Sequence, residues 1–522
     1  MLHELAHLHP PRLHIGDWRP YVGIVGVLLG SIMGTLGSRA TSFGLADLRG
    51  ALHAGFDEGA WITTSYGIGQ MLVGVASPYL GAVFGARRVL LYGIVLFFVT
   101  SLIGPLSNNL TAFLVLSCLA GIGSGTFIPL TITFVVRSLP AQLVVYGIAV
   151  YAMNSELSQN VAASLEGWYV DHLSWEWIYW QYCVALPLMF VAIWFGVPRE
   201  RINVSLLHQL DWPGLTYAGL GFAMLYAGLD QGNRLDWNGS GLIVGLLVGG
   251  GILTVAFVAR ELTTPRPFLN LRLLLRGNLL LLLLMLAGFR FIILSTSYII
   301  PNYLQTVQNF RELQVGEVLL WIALPQLVIA FPLAALLRKV DGRPVLALGT
   351  VLIGIACVMA SNLTADWATG DFLPSQILQA IGQSFALTAL IMLVVRSIVP
   401  AEALTIGCLL QISRLFGGEI GIAFMQTFVR VREQVHSNLI GLHVADGTGP
   451  TIDRLASYAV RLGAHVSDAA LATAQASKLL ANAVAVQANV LAYQDGFAAA
   501  AVGAFGCMLL IALMRRGPRS MF

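Results

Sequence analysis

The chain has 522 residues, 57% of them hydrophobic and only 11% charged, with a mean hydropathy of +0.78. Soluble domains carry about 25% charged residues, so a water-soluble globular protein is excluded and a polytopic membrane protein is indicated. A net charge of +3 is too small for a nucleic-acid binder, and it comes almost wholly from arginine, with lysine only at Lys339 and Lys478.

Residues 1–20 contain no continuous apolar run, so they read as a cytoplasmic tail rather than a cleavable signal peptide. Their His3, His7, His9 and His14 could suggest metal binding, but a disordered tail is the better reading, because Pro10, Pro11 and Pro20 break any helix that would align them. A bilayer core of about 30 Å takes roughly 20 apolar residues per helix. That rule predicts spans at 21–45, 61–84, 89–106, 110–136, 143–169 and 178–196, which make an N-terminal half over 21–197. Two more, at 212–229 and 240–259, sit in a linker over 198–277 that carries Arg199, Glu200 and Arg201 before them and Arg260, Arg266, Arg272 and Arg276 after them. Six further spans, at 279–304, 317–337, 345–363, 372–395, 404–428 and 493–514, form a C-terminal half over 278–522. The fold class is therefore an all-α integral membrane protein with two six-helix halves and two extra central helices, 14 transmembrane helices in all.

An even number of spans puts both termini on one side. Of the 29 arginines and lysines, 18 fall in segments on the N-terminal side, 8 on the other and 3 within spans. Five of those 8 lie in one long loop, where charge has little force on orientation, so both termini are assigned to the cytoplasm. That loop, 430–492, is too long for a simple connector. From Asp468 to Tyr493 it is alanine-rich and free of Gly and Pro, which predicts a helix, serving either as a spacer or as a docking surface for a partner protein.

The five cysteines (Cys118, Cys183, Cys357, Cys408, Cys507) are scattered singly through apolar runs and form neither a disulfide framework nor a metal site. No GxxxxGK[ST] phosphate loop exists, which argues against a primary pump, and no HExxH or GxSxG arrangement argues for an enzyme. No cofactor is implied. The informative stretch is Met153-Asn154-Ser155-Glu156-Leu157-Ser158-Gln159-Asn160, in the middle of the fifth span. A carboxylate at mid-depth costs about 2.5–3.5 kcal/mol on insertion scales and faces a cavity or a partner. Glu166 repeats the problem nearer the far end of the same span.

Several stretches resemble the fourteen-span drug:proton antiporters of the major facilitator superfamily, of the EmrB type. The most specific is Leu229-Asp230-Gln231-Gly232-Asn233-Arg234-Leu235-Asp236-Trp237, similar to the LDxGxxxDW turn that joins the family's two extra spans. The run Arg260-Glu261-Leu262 through Pro267, Leu269, Leu271 and Asn278 is similar to the connector into the second half. Asp171, Trp175, Trp177 and Ile178 match the loop before span six, and Trp61, Gly85 and Arg88 match the second span and its loop. The resemblance implies transport by two halves that rock around a midplane site. It also implies a periplasmic adaptor protein and an outer-membrane channel as partners, with the outer loop as the candidate contact, in a bacterial inner membrane.

Departures from the family pattern are concentrated in its functional motifs. After span two, Pro78 and Ala82 stand where a glycine and an acidic residue belong, and the loop keeps only Gly85, Arg87 and Arg88. Those three can shape and hold an inner gate, or the arginines can simply anchor the positive side. Gly37 takes the place of a first-span aspartate and Ser117 that of a fourth-span arginine. The antiporter motif of span five is reduced to Ala162-Ala163-Ser164-Leu165-Glu166-Gly167, of which Gly167 survives. The chain carries six intramembrane charges, Arg39, Glu156, Glu166, Arg290, Arg414 and Glu419, of which Arg414 matches a family arginine and the other five are particular to this chain. Three of each sign are expected to pair across helices. Glu156, Glu166 and Glu419 are the proton-coupling candidates, and Arg39, Arg290, Arg414 and Asn160 the candidates for substrate attraction or charge compensation. Static salt bridges that fix packing are the competing reading.

The function expected is proton-coupled export of amphipathic drugs or toxic small molecules. Two alternatives stay open: a facilitator or specific metabolite transporter without antiport, and a transport-inactive membrane sensor.

Overall fold

A computed structural model describes residues 18–208, 211–265, 267–275, 277–397, 402–447, 449–463 and 468–515. The tail histidines, most of the 1–20 tail, and Arg266 and Arg276 of the basic connector lie outside the described residues. Among the described residues the chain is helical throughout, with no strand.

In chain order the principal helices are α1 (Arg19–Phe43), α2 (Phe56–Gly74), α3 (Ser77–Phe84), α4 (Ala86–Leu106), α5 (Leu110–Ser138), α6 (Ala141–His172) and α7 (Trp177–Gly196). The extra pair is α8 (Trp212–Gly232) and α9 (Gly241–Thr263). Then come α10 (Leu279–Thr306), α11 (Glu312–Leu337), α12 (Gly342–Ala360), α13 (Thr369–Arg396), α14 (Ala403–Ala445), α15 (Gly449–Gly463) and α16 (Ala469–Leu513). Eleven of these are long and apolar enough to cross a membrane, and α2 with α3, bent by 48° at their break, makes a twelfth. The polar α6 and glycine-rich α8 fall short on hydropathy. They lie where spans five and seven are expected, so the set is consistent with fourteen.

Local chemistry places the breaks. Pro78 in the first turn of α3 cannot continue α2. Gly85, at φ +88°, makes the tight turn into α4. Asn109, Asp341 and Asp468 each accept a backbone N–H at a helix start, from Thr111, Arg343 and Ala470. Apart from α6 and α11, helices α1–α7 pack mainly among themselves and α10–α16 do likewise, and α8 lies against α2 and α14. The most extensive contact between the two groups is α6 along α11. Gly167 permits it: a Cβ there would sit 2.7 Å from the Cα of Leu313.

Successive helices alternate in direction, so the described ends at Arg19 and Leu513 share one face, here the terminal face, with the Gly85 turn. At the opposite face the described residues of the expected loop 430–492 are almost entirely helical. Helix α14 has 43 residues and α16 has 45, about 64 and 67 Å at 1.5 Å per residue. A bilayer core of about 30 Å uses only half of that. The rest extends beyond the membrane as an antiparallel pair with α15 against α16. Asp495 pins the pair, receiving Arg432 Nε and His436 Nε2, each at 2.6 Å.

Candidate functional site

A cavity of about 240 Å³ lies between the two groups of helices, bounded by α5, α6, α10, α13 and α14. Its walls are apolar, from Ile128, Ile132, Leu286, Phe289, Leu387 and Ile391. The polar groups Tyr151, Glu156, Arg290, Gln411 and Arg414 face it at mid-depth. Arg137, Val395 and Ala403 also line it, and they stand at the terminal-face ends of α5, α13 and α14, so the cavity runs toward that face.

Glu156 is 3% exposed, and its Oε1 has no hydrogen-bond partner. The charged groups acting on it are Arg290 and Arg39. Arg290 Nε is likewise unpartnered. Asn160 stays on its own helix, donating its Nδ2 to the Glu156 carbonyl at 2.9 Å, and does not line the cavity.

The expected pairing of the six charges is not what the structure has: none of them makes a contact ion pair among the described residues. Each arginine or carboxylate has a different local reason. Arg39 donates Nη2 to the Ser297 carbonyl at 2.8 Å and lies over the Phe43 ring at 5.3 Å. That carbonyl is free because Pro301, four residues on, has no N–H to offer it. The strain is taken up as a π-helical turn over Ser295–Ile299. Arg414 donates Nε to Gln411 Oε1 at 3.1 Å. Glu419 is turned toward Tyr226 and Asp230 of α8, and its Oε1 is unpartnered. Glu166 is fully buried with both oxygens unpartnered, and its charged neighbours Glu312, Asp47 and Asp171 are all acidic. Burial pushes the Asp47 carboxyl above its usual range. Neither Glu166 nor Glu419 lines the cavity.

At the other candidate positions, Arg88 donates Nη1 to the carbonyls of Phe84 and Glu200, at 2.9 and 3.1 Å. Arg87 lies over the Trp194 ring at 4.7 Å. Neither lines the cavity. Gly37 is a glycine for a visible reason: Tyr66 occupies the space a side chain would need. A Cβ at 37 would lie 3.0 Å from the Tyr66 ring carbon bearing the hydroxyl, and that hydroxyl donates to Ser124 Oγ at 2.7 Å. A carboxylate does not fit there.

What the residues alone did not disclose is how the turn between α8 and α9 is used. It grips both groups of helices at the opposite face. Toward the first group, Asp230 accepts from Thr64 Oγ1, Gln231 Nε2 donates to the Ala60 carbonyl at 3.3 Å, and Arg234 pairs with Asp57. Toward the second, Asn233 Oδ1 accepts Arg430 Nε at 2.9 Å and Trp237 Nε1 donates to Thr427 Oγ1 at 3.2 Å. Gly232 makes room for the Trp237 ring. Asp236 and Trp237 both take left-handed backbone, at φ 59° and 38°, an unusual conformation for residues with a Cβ. With Arg39 on Ser297, Gly167 against Leu313 and the Arg311–Asp171 pair at 3.3 Å, this turn closes the opposite face.

Residues 27–422 match the family model described as Major Facilitator Superfamily. The chain is 24% identical over 408 residues to the colistin resistance protein EmrB of Acinetobacter baumannii, covering 77% of this chain and 78% of that protein. It is 23% identical over 492 residues to the multidrug export protein EmrB of Haemophilus influenzae, covering 92% and 93%. A solved structure of the proton:xylose symporter XylE bound to 6-bromo-6-deoxy-D-glucose aligns with a TM-score of 0.55 at 12% identity, over 94% of this chain and 95% of that one. At that identity the likeness shows the fold alone.

Proposed function

The chain belongs to the Major Facilitator Superfamily, and from that premise we propose that this multi-pass membrane transporter exports amphipathic small molecules in exchange for protons. The observation that carries the reading is Glu156: a buried carboxyl with an unpartnered oxygen, facing a cavity between the two groups of helices. An amphipathic molecule entering from the terminal face sets its apolar part against Ile128, Leu286 and Phe289. Its polar part meets Tyr151, Gln411 and Glu156. A substrate group that donates a hydrogen bond to the Glu156 carboxylate competes with a proton for the same oxygens. Proton uptake from the opposite side then expels the substrate, and proton loss at the terminal face readies the site again. That competition is reciprocal by linkage.

The test is Glu156→Gln in proteoliposomes. For one proton exchanged, each unit of pH difference is worth about 1.4 kcal/mol, about a tenfold concentration ratio. The variant is expected to lose that gradient-driven accumulation while keeping substrate counterflow. Gradient-driven flux equal to wild type removes Glu156 from the mechanism. A facilitator without antiport is the second reading, favoured by the Tyr66 side chain that fills the space at Gly37. A transport rate independent of pH selects it.

The likeness to bacterial EmrB proteins supports a bacterial inner membrane, and the arginine distribution supports both chain ends in the cytoplasm. Helices α14–α16 then project into the periplasm. The projecting part of α14 exposes Val431, Val435, Leu439 and Leu442, a stripe spaced by four, four and three residues. Such a stripe suits a helical adaptor protein leading to an outer-membrane channel. Co-purification with an adaptor is expected to fail for L439E/L442E, and undiminished association counts against that surface.

A further inference from the structure

The arginines of the Gly85 turn belong to a second concavity, away from the transport cavity. A groove of about 350 Å³ lies between the terminal-face ends of α4 and α7, lined by Arg87, Arg88, Tyr92, Trp194, Arg199 and Glu200 among others. Three guanidinium groups face one carboxylate. Glu200 is already engaged: its carbonyl accepts Arg88 Nη1 at 3.1 Å, and its Oε2 accepts the Ala86 N–H at 3.4 Å. Arg87 and Arg199 lie against the same Trp194 ring, at 4.7 and 5.5 Å from its centroid. Phe190 stacks behind that ring at 5.8 Å. Neither arginine forms an ion pair or hydrogen bond with another described residue. Two like charges held on one indole repel each other, and a planar fork on each is left free for a phosphate oxygen.

The setting fixes what kind of anion reaches them. Trp194 is 41% exposed and Tyr92 75% exposed, at the ends of helices whose outer sides meet lipid. From the groove an exposed stripe runs along α4 toward the bilayer centre through Val95, Val99 and Leu102, and α7 exposes Val191 and Leu188 on its outer side. Basic clusters at the cytoplasmic end of membrane helices attract anionic lipids electrostatically. We propose that this groove binds an anionic phospholipid, its phosphate between Arg87 and Arg199 over Trp194 and its acyl chains along the α4 and α7 stripes. The site needs no assumption about substrate or coupling.

The experiment is native mass spectrometry of the full-length protein released from mixed micelles of defined lipid. Phosphatidylglycerol is expected to be retained over phosphatidylcholine by about tenfold. R87Q/R199Q is expected to remove the preference, and R454Q, in the extramembrane α15, to keep it. R199Q alone changes an exposed side chain and leaves the fold untouched, so its partial loss of preference checks the double variant. Equal retention of the two lipids by the wild type, or a preference undiminished in R87Q/R199Q, overturns the proposal. So does displacement of the lipid by inorganic phosphate at equal concentration, which would make the groove a site for soluble anions.

Discussion

Breaking the hold of the α8–α9 turn on the second group of helices, while leaving its hold on the first, should unbalance the two states of the transporter. The variant is N233A/W237F. The first change removes the acceptor of Arg430 Nε, the second the indole donor to Thr427. A hydrogen bond to a charged group contributes about 1.5–3 kcal/mol and a neutral one about 0.5–1.5 kcal/mol. Both sites are half-buried and gain water when the face opens, so the lower ends apply, about 2 kcal/mol together. That corresponds to about a 30-fold shift toward the conformation open at the opposite face. The readout is the distance between spin labels at N108C and D366C, exposed positions at that face in the first and second groups. The variant is expected to raise the longer-distance population, and adding T427A to W237F should shift it no further than W237F alone. Identical distance distributions for wild type and N233A/W237F at every pH would refute a clasping role for the turn.

Two further outcomes follow from individual contacts. P301A restores a backbone donor for the Ser297 carbonyl, so Arg39 loses its acceptor and closure weakens by about 1.5–3 kcal/mol. Hydrogen exchange over 295–305 should fall while that of 36–43 rises, and unchanged exchange in 36–43 contradicts the account. E166Q replaces a buried carboxyl whose oxygens have no partners and whose charged neighbours are acidic by an amide of the same shape. It should leave thermal stability unchanged or raise it by about 1 kcal/mol, and a clear drop in melting temperature would mean that the carboxylate has a partner this packing does not supply.

Most spans were legible because they are long apolar runs, α6 and α8 being less apolar than the rest, and so was the break at Gly85, which needs a residue free to take positive φ. The alanine-rich outer part of α16 was legible as a helix, whereas the outer part of α14 was harder to read. Hydropathy falls where a helix leaves the bilayer, so a span of 25 residues conceals a helix of 43. The six buried charges could be picked out by type and depth, but their partners could not. Arg39 finds a carbonyl 258 residues away, exposed by a proline whose effect lies in an absent N–H. Glu419 faces α8, a helix outside both halves. The α8–α9 turn could be matched as a pattern, yet which residues it touches depends on how α2 and α14 come together. The surviving Gly167 reads in sequence as a motif remnant, and its physical use, backbone against backbone at Leu313, emerges only from packing.

Helices α14 and α16 cross the bilayer and continue outward without a break, so the projecting pair is rigidly attached to one moving half. Such an arm magnifies motion. A tilt of about 10° about the bilayer centre carries a tip about 50 Å away through roughly 9 Å. Whatever grasps that tip receives a mechanical stroke on every cycle, synchronised with the alternation of the cavity beneath it.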